Sequence, residues 1–277
     1  MSETILSFAR PARFGTALLA MLVATAALVR PTRWIGHRVS SDQSVPGSAR
    51  ALLFRNMELK ILYEDNHLIA VYKPAGILVQ EDKTGDPSLL DQVKYFLKNK
   101  YHKPGKVFLG LIHRLDRPVS GVILFAKTSK GAARLSEQFR RHEVEKVYHA
   151  LVIGKPERGS ATLVHYLLKD KEVNKVSVSD EQVEDGLRAE LSYTTVETNG
   201  KFSILKIQLG TGRPHQIRSQ LAAIGHPIVG DVKYGAPPSE FKSLCLMATS
   251  LTFTTATSEE RKEISLPIPG EWVKLVE

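Results

Sequence analysis

The chain has 277 residues, 43% of them apolar and 24% charged, which excludes a disordered protein and fits one large domain or two small ones. A formal charge of +9 points to a polyanionic partner, a statement about association rather than fold. Cys245, in the apolar run LCLMA, is the lone cysteine, so a disulfide framework and a Cys-based zinc site are both excluded and a buried core thiol is expected. Residues 1–56 stand apart, with seven arginines, no lysine, and only Glu3 and Asp42 as acids. Within them, residues 14–29 (FGTALLAMLVATAALV) form an apolar run that is short for a membrane span and better sized for a signal h-region or an organellar presequence. A third reading takes Met57 as the true start. Residues 40–48, rich in Ser with Pro46 and Gly47, read as a linker. The expected division is an extension over 1–56 and a folded domain over 57–277.

The folded part opens on two strand patterns, 59–63 and 67–72, around a Glu64-Asp65-Asn66 turn. A helix is predicted over 88–98, with Ser88 as cap, Asp91 completing a capping box, and Leu89, Leu90, Val93, Phe96 and Leu97 in one apolar stripe. A basic loop at 98–106 leads to HRLDRPVSGVILFAKT at 113–128. If 112–116 is extended, Arg114 and Asp116 share one side and Leu115 takes the other. Pro118 and Gly121 turn the chain into the apolar strand 122–126. A second helix, capped by Ser129, runs to about 141. Strands follow at 144–153, 161–168, 189–197, 202–209, 246–254 and 262–266, with a short helix after Pro214 that ends at Gly225. Adjacent strands with few helices between them imply an α+β fold: a mixed, largely antiparallel β-sheet flanked by helices and loops.

Several chemistries are absent from the sequence. It has no Gly-rich phosphate loop between strand and helix, no GxSxG elbow, and no HxxxH pair among nine histidines, so neither a cofactor nor a metal is expected. What remains is Asp116, the strand Lys146-Val147-Tyr148, and the segment GRPHQIR at 212–218. The last puts two guanidiniums, an amide and an imidazole at the start of a helix, suited to pairing a carboxylate or holding a phosphate. Taken singly, each is more readily a structural residue than a functional one.

Taken together, HRLDRPVSGVILFAKT, KVYHALVIG and TGRPHQIRSQLAAIGHPIVGDVKYG, preceded by LIAVYKPAG, resemble the motifs of RluA-family pseudouridine synthases. The resemblance runs from about residue 59 to 266. One departure is Val119, where the family commonly has Thr. Residues 1–56 are too short and too apolar for the S4 RNA-binding module that members often carry, so a stand-alone catalytic domain of the pseudouridine synthase fold is implied. The implied activity is isomerisation of a uridine in structured RNA, rRNA or tRNA, by breaking C1′–N1 and joining C1′ to C5. On that resemblance Asp116 is the essential carboxylate, as nucleophile at C1′ or as base toward the 2′ proton, Arg218 is its counter-charge, and Tyr148 stacks on the uracil. Arg114 matches the arginine that fills the vacated space or holds the extruded nucleotide, whose unstacking costs roughly a few kcal/mol. The expected RNA-facing set is Arg114, His113, Arg117 and Lys73 near the carboxylate, Lys103 and Lys106 in the basic loop, and Arg213, His215 and Gln216 before the last helix.

The implied partner is RNA, with no DNA, no stable membrane association and a monomeric state. An RNA substrate favours a cytoplasmic or organellar location over secretion. A non-catalytic RNA-binding module on the same fold is the alternative, and intact Asp116, Tyr148 and Arg218 argue against it.

Overall fold

The computed structural model describes residues 58–277 apart from 171, 242 and 259. The apolar run at 14–29, the linker and the expected boundary at 56–57 therefore lie outside the described residues. No helix among the described residues is long and apolar enough to cross a membrane.

The chain enters through a hairpin of β1 (Ile61–Glu64) and β2 (Leu68–Lys73). Asp65 closes its turn by accepting the amides of His67 and Leu68 at 2.7 and 2.6 Å. Next comes α1 (Leu89–Lys100), where the Ser88 hydroxyl oxygen accepts the Asp91 amide at 3.3 Å and buries Leu89, Val93 and Leu97 on one stripe. Two strands follow, β3 (Gly110–Leu111) and β4 (Ser120–Ala126). The next helix, α2 (Ser129–Arg140), is capped by Thr128 and not by Ser129: the extended Thr128 accepts the Gly131 amide at 3.1 Å. Its buried Gln138 exchanges both amide groups with the Thr254 backbone, each at 2.8 Å, bolting the helix to the sheet.

Five strands then run in succession: β5 (Glu145–Ile153), β6 (Ser160–Asp170), β7 (Lys175–Ser179), β8 (Leu187–Thr198) and β9 (Phe202–Leu209). The chain closes with α3 (Gln216–Ala223), β10 (Leu246–Thr254), β11 (Arg261–Ser265) and α4 (Gly270–Val276). Among the described residues these strands make one eleven-stranded sheet in the order β1-β2-β4-β10-β5-β9-β8-β6-β7, with β3 on β4 and β11 on β10. The predicted α+β class holds. Of the strand pairs, β10 with β4 is parallel, through Met247↔Ser120 and Ala248↔Gly121, and the others are antiparallel. From Ser250 onward β11 takes over the same edge of β10.

Strands β2 and β4 are buried on both faces, which is why LIAV and VILFA read as continuous apolar runs rather than alternating ones. Ile69, Val71, Ile123 and Phe125 join one core with Val93, Leu97 and Trp272. Leu68, Ala70, Val122 and Leu124 join another with Leu135 and Phe253. A smaller cluster of Leu167, Val176, Ala189 and Tyr234 seats the β6–β8 region. Gly121 lies where β4 meets β10. It has φ +128°, and a Cβ there would stand 2.2 Å from the Ala248 carbonyl oxygen, so only glycine lets the two strands approach. This contact fixes the turn that carries Asp116.

Candidate active site

Residues 112–117 form no regular strand, yet the expected alternation holds: Leu115 is buried, while Arg114 is exposed and Asp116 partly so. The Val119 amide donates to the Asp116 carbonyl at 3.0 Å, closing a tight turn around Pro118. Below it lies Lys73, fully buried at the end of β2, whose Nζ donates to the carbonyls of Pro74 (3.0 Å), Arg117 (3.0 Å) and Val119 (2.7 Å). Burial pushes this amine down to about 7, with the Asp116 charge opposing and the Arg117 charge adding to the fall. Arg117 completes the scaffold, Nε donating to the Gly76 carbonyl at 3.0 Å and a terminal nitrogen pairing with Asp86 at 2.7 Å.

From the other side, α3 brings the buried Arg218. Its Nε and one terminal nitrogen grip Asp231 as a fork, both at 2.7 Å, and the other terminal nitrogen faces Asp116 Oδ2 at 3.8 Å. The guanidinium also lies over the Tyr234 ring, 5.0 Å from its centroid. Burial works against the Arg218 charge, but the Asp231 hydrogen bonds and the charges of Asp231 and Asp116 hold it above its ordinary value. Asp231, itself buried, is therefore the first partner of Arg218, and Asp116 the second.

His215, with left-handed backbone at φ +53°, stands just before α3. The Tyr234 hydroxyl accepts the Val176 amide at 3.0 Å and lies 2.8 Å from His215 Nδ1. The phenol, with one lone pair on the Val176 N–H, still has its own proton to give to Nδ1, and the tautomer that accepts it turns Nε2–H toward Asp116 Oδ2 at 3.9 Å. Burial keeps His215 below its ordinary value, with the Asp116 charge opposing. On β5, half-buried Tyr148 has its phenol held above the ordinary range by burial first and by the Asp116 charge second. Asp116, Tyr148 and Arg218, expected to act together, are thus brought into one electrostatic neighbourhood by a loop, a strand and a helix. The carboxylate is 35% exposed, and no side-chain or backbone donor among the described residues lies within hydrogen-bonding distance of it.

Three members of the expected RNA-facing set are corrected. Lys73 has no surface to offer, its amine being spent on three backbone carbonyls. Gln216 is buried and ties its own loop, its Oε1 accepting from the Arg213 amide (2.9 Å) and the Thr211 hydroxyl (2.8 Å) while its Nε2 donates to the Glu190 carbonyl (3.0 Å). His113 stacks on Phe139 with centroids 4.9 Å apart, and its Nε2 accepts the Leu124 amide in the middle of β4 at 3.0 Å. Arg114 and Arg213 remain exposed beside the site, Arg213 donating to the Arg188 carbonyl at 3.2 Å. Lys103 and Lys106 lie in the loop before β3, whose Gly110 pairs with Ala126 at the end of β4 far from Asp116. Sequence reasoning gave no role to Asp231 or Tyr234, which orient Arg218 and His215. Among the described residues no group of three or more His, Cys, Asp or Glu is arranged to hold a metal.

Burial, with a smaller contribution from Lys146, pulls His113 down to about 4. A histidine whose folded value is depressed adds stability that is complete above its unfolded value near 6.5 and is lost as pH falls toward the folded value. Protonation at Nε2 would also break its bond with Leu124. Thermal melts between pH 7.5 and 4.5 should therefore lose up to about 3 kcal/mol that a His113→Gln variant does not lose. Parallel pH profiles for the two proteins would contradict this.

The model of the family described as RNA pseudouridylate synthase matches residues 67–223. The chain is 35% identical over 236 residues to the tRNA pseudouridine synthase C of Haemophilus ducreyi, covering 79% of this chain and 95% of that protein. It is 30% identical over 237 residues to the ribosomal large subunit pseudouridine synthase C of Vibrio cholerae, covering 83% and 72% respectively. In fold it is similar to human RNA pseudouridylate synthase domain containing 4, with a TM-score of 0.68 at 21% identity over 82% of this chain and 95% of that one. Human RNA pseudouridylate synthase domain containing 1 gives a TM-score of 0.64 at 24% identity, over 76% and 84%. The fold, the motifs and a match over more than half of the sequence lead to one conclusion: the chain belongs to the RNA pseudouridylate synthase family, in its RluA-type branch.

Proposed function

We propose that the protein isomerises uridine to pseudouridine in a structured RNA, with Asp116 as the carboxylate that starts the reaction. The observation that carries this reading is a carboxylate held in place but left unengaged. Its loop is fixed by Lys73 and Gly121, two donors face it at 3.8 and 3.9 Å, and neither has closed on it. Such a group is poised for a ligand rather than consumed by the fold.

The sugar–base bond C1′–N1 breaks, the uracil turns within the pocket, and C1′ bonds to C5. The C5 proton leaves and N1 gains one, so the change is an isomerisation without net oxidation. Attack on C1′ and removal of the 2′ proton make the same demand, an ionised carboxylate shielded from water. Arg218 and His215 flank the carboxylate at 3.8 and 3.9 Å, and Tyr148 supplies a flat face for the uracil and a neutral phenol near C5. Arg114 and Arg213, exposed at the rim, meet the phosphates of an extruded nucleotide. Two of the relatives are named for tRNA and for the large ribosomal subunit, so both RNA classes are the substrates to test first.

The expected result is release of tritium from RNA carrying [5-³H]uridine, prepared as unmodified transcripts of tRNA and of large-subunit rRNA fragments. RNA binding by the full chain without tritium release from either class would support a non-catalytic RNA-binding module instead.

A further inference from the structure

Among the described residues the two exposed large aromatic side chains are Tyr101, 46% exposed, and Phe108, 52% exposed, and both lie between α1 and β3. The last turn of α1 carries Lys98 and Lys100, the loop after it carries Lys103 and Lys106, and Lys127 lies beside Tyr101. Three ammonium groups surround the Tyr101 ring, from Lys127 (4.9 Å to the centroid), Lys100 (5.4 Å) and Lys103 (5.8 Å). Glu64 binds the Tyr101 hydroxyl at 2.6 Å, Lys100 at 2.6 Å and Lys127 at 2.5 Å, fixing the ring and two of the lysines. Lys103 and Lys106 are paired with no carboxylate among the described residues.

This surface is remote from the reaction. Gly110 pairs with Ala126 at one end of β4, whereas the Asp116 turn feeds into Ser120 at the other end, about 20 Å away for a strand of this length. An exposed Tyr101 ring with Lys103 beside it, and an exposed Phe108 two residues along the same loop from Lys106, match the chemistry of unpaired nucleic acid, where bases stack on aromatic faces and phosphates take the cations. An aromatic left in water without such a partner only exposes apolar area.

We propose that Phe108 and Tyr101, with Lys103 and Lys106, form a second RNA site, a platform on which an unpaired base stacks while its flanking phosphates meet the lysines. The proposal rests on RNA being the substrate and extends it: the substrate reaches well beyond the target uridine. The stacking and the charge contributions carry different signatures. With the full chain and an oligouridylate of about 30 nucleotides, Phe108→Ala should lower affinity by about tenfold at fixed salt, within the range known for base–aromatic stacking. Phe108→Leu should match Ala, and Phe108→Tyr should match the parent protein. Lys103→Gln combined with Lys106→Gln should flatten the slope of log affinity against log salt by about 1.4, the value for two single-strand phosphates. An RNA duplex of equal length, which presents no unpaired base, should show no Phe108→Ala effect. Unchanged single-strand affinity in Phe108→Ala, or an equal loss on the duplex, would overturn the platform. Failure to form pseudouridine would instead remove the enzymatic reading and leave these binding results standing.

Discussion

Asp116→Asn should abolish pseudouridine formation, with a fall of at least about 10⁴-fold in single-turnover rate, while the protein stays folded and still binds RNA. Asn keeps the size and reach of Asp but offers neither a carboxylate nucleophile nor a base at neutral pH. The structure explains why stability should hardly change. The Asp116 carboxylate makes no close hydrogen bond among the described residues, and Arg218 already has Asp231 as its partner at 2.7 Å, so no buried charge is stranded. The loop position depends on backbone carbonyls held by Lys73, which the substitution does not touch. If Asp116 were instead one half of a structural ion pair, the variant would melt early and keep its activity in the folded fraction. Turnover, affinity and melting temperature measured on one preparation separate these outcomes, and appreciable isomerisation by folded Asp116→Asn would sink the assignment.

The second large effect is expected at Asp231, a residue that would touch no substrate. Asp231→Asn removes the negative charge that the buried Arg218 fork grips, and an Asn amide presents one acceptor where two were needed. Breaking a buried pair in this way costs about 3–5 kcal/mol. The freed guanidinium has one further anion nearby, Asp116 at 3.8 Å, and should swing onto it. Asp116 then becomes engaged, so the rate falls together with the melting temperature while RNA affinity is largely kept. Arg218→Met tests the coupling. In the parent it strands buried Asp231, whereas in an Asp231→Asn background it removes a guanidinium already without its partner, so its stability cost there should be much smaller. Additive stability effects, or an Asp231→Asn protein with parental melting temperature and rate, would show that the fork does not set the position of Arg218.

Much of the fold was legible because it is written locally. The stripe from Leu89 to Leu97 behind Ser88 gave α1, and the apolar run from Val122 to Ala126 gave β4 because both of its faces are covered. β9 and β10 were predicted with their observed bounds. β7 was missed because KVSVS is short and largely polar, and its pairing partner β6 supplies what its own pattern does not. The α4 sequence GEWVKLV carries no cap side chain, and it is the burial of Trp272 and Val276 that holds it. At the site, residue type pointed to Asp116, Tyr148 and Arg218 through ordered motifs. The destinations of Lys73, His113 and Gln216 were not readable, since each spends its polar atoms on backbone that only the tertiary fold brings near. Asp231 gave no local signal either. Its partner lies across the α3 end and two glycine turns, at Gly225 and Gly230.

The meeting of Gly121 with Ala248 also orders events in time. The turn bearing Asp116 is completed early in translation, but the strand that locks it in place leaves the ribosome nearly half the chain's length later, after Arg218 and Asp231. Contacts this far apart in sequence close late, because loop-closure entropy must be met before they stabilise anything. A nascent polypeptide emerging beside ribosomal RNA would therefore carry every group of the site, Arg218 and Asp231 included, before β10 gives them a working arrangement. Catalytic competence arrives with β10, as a property of the finished sheet rather than of the motif that names the family.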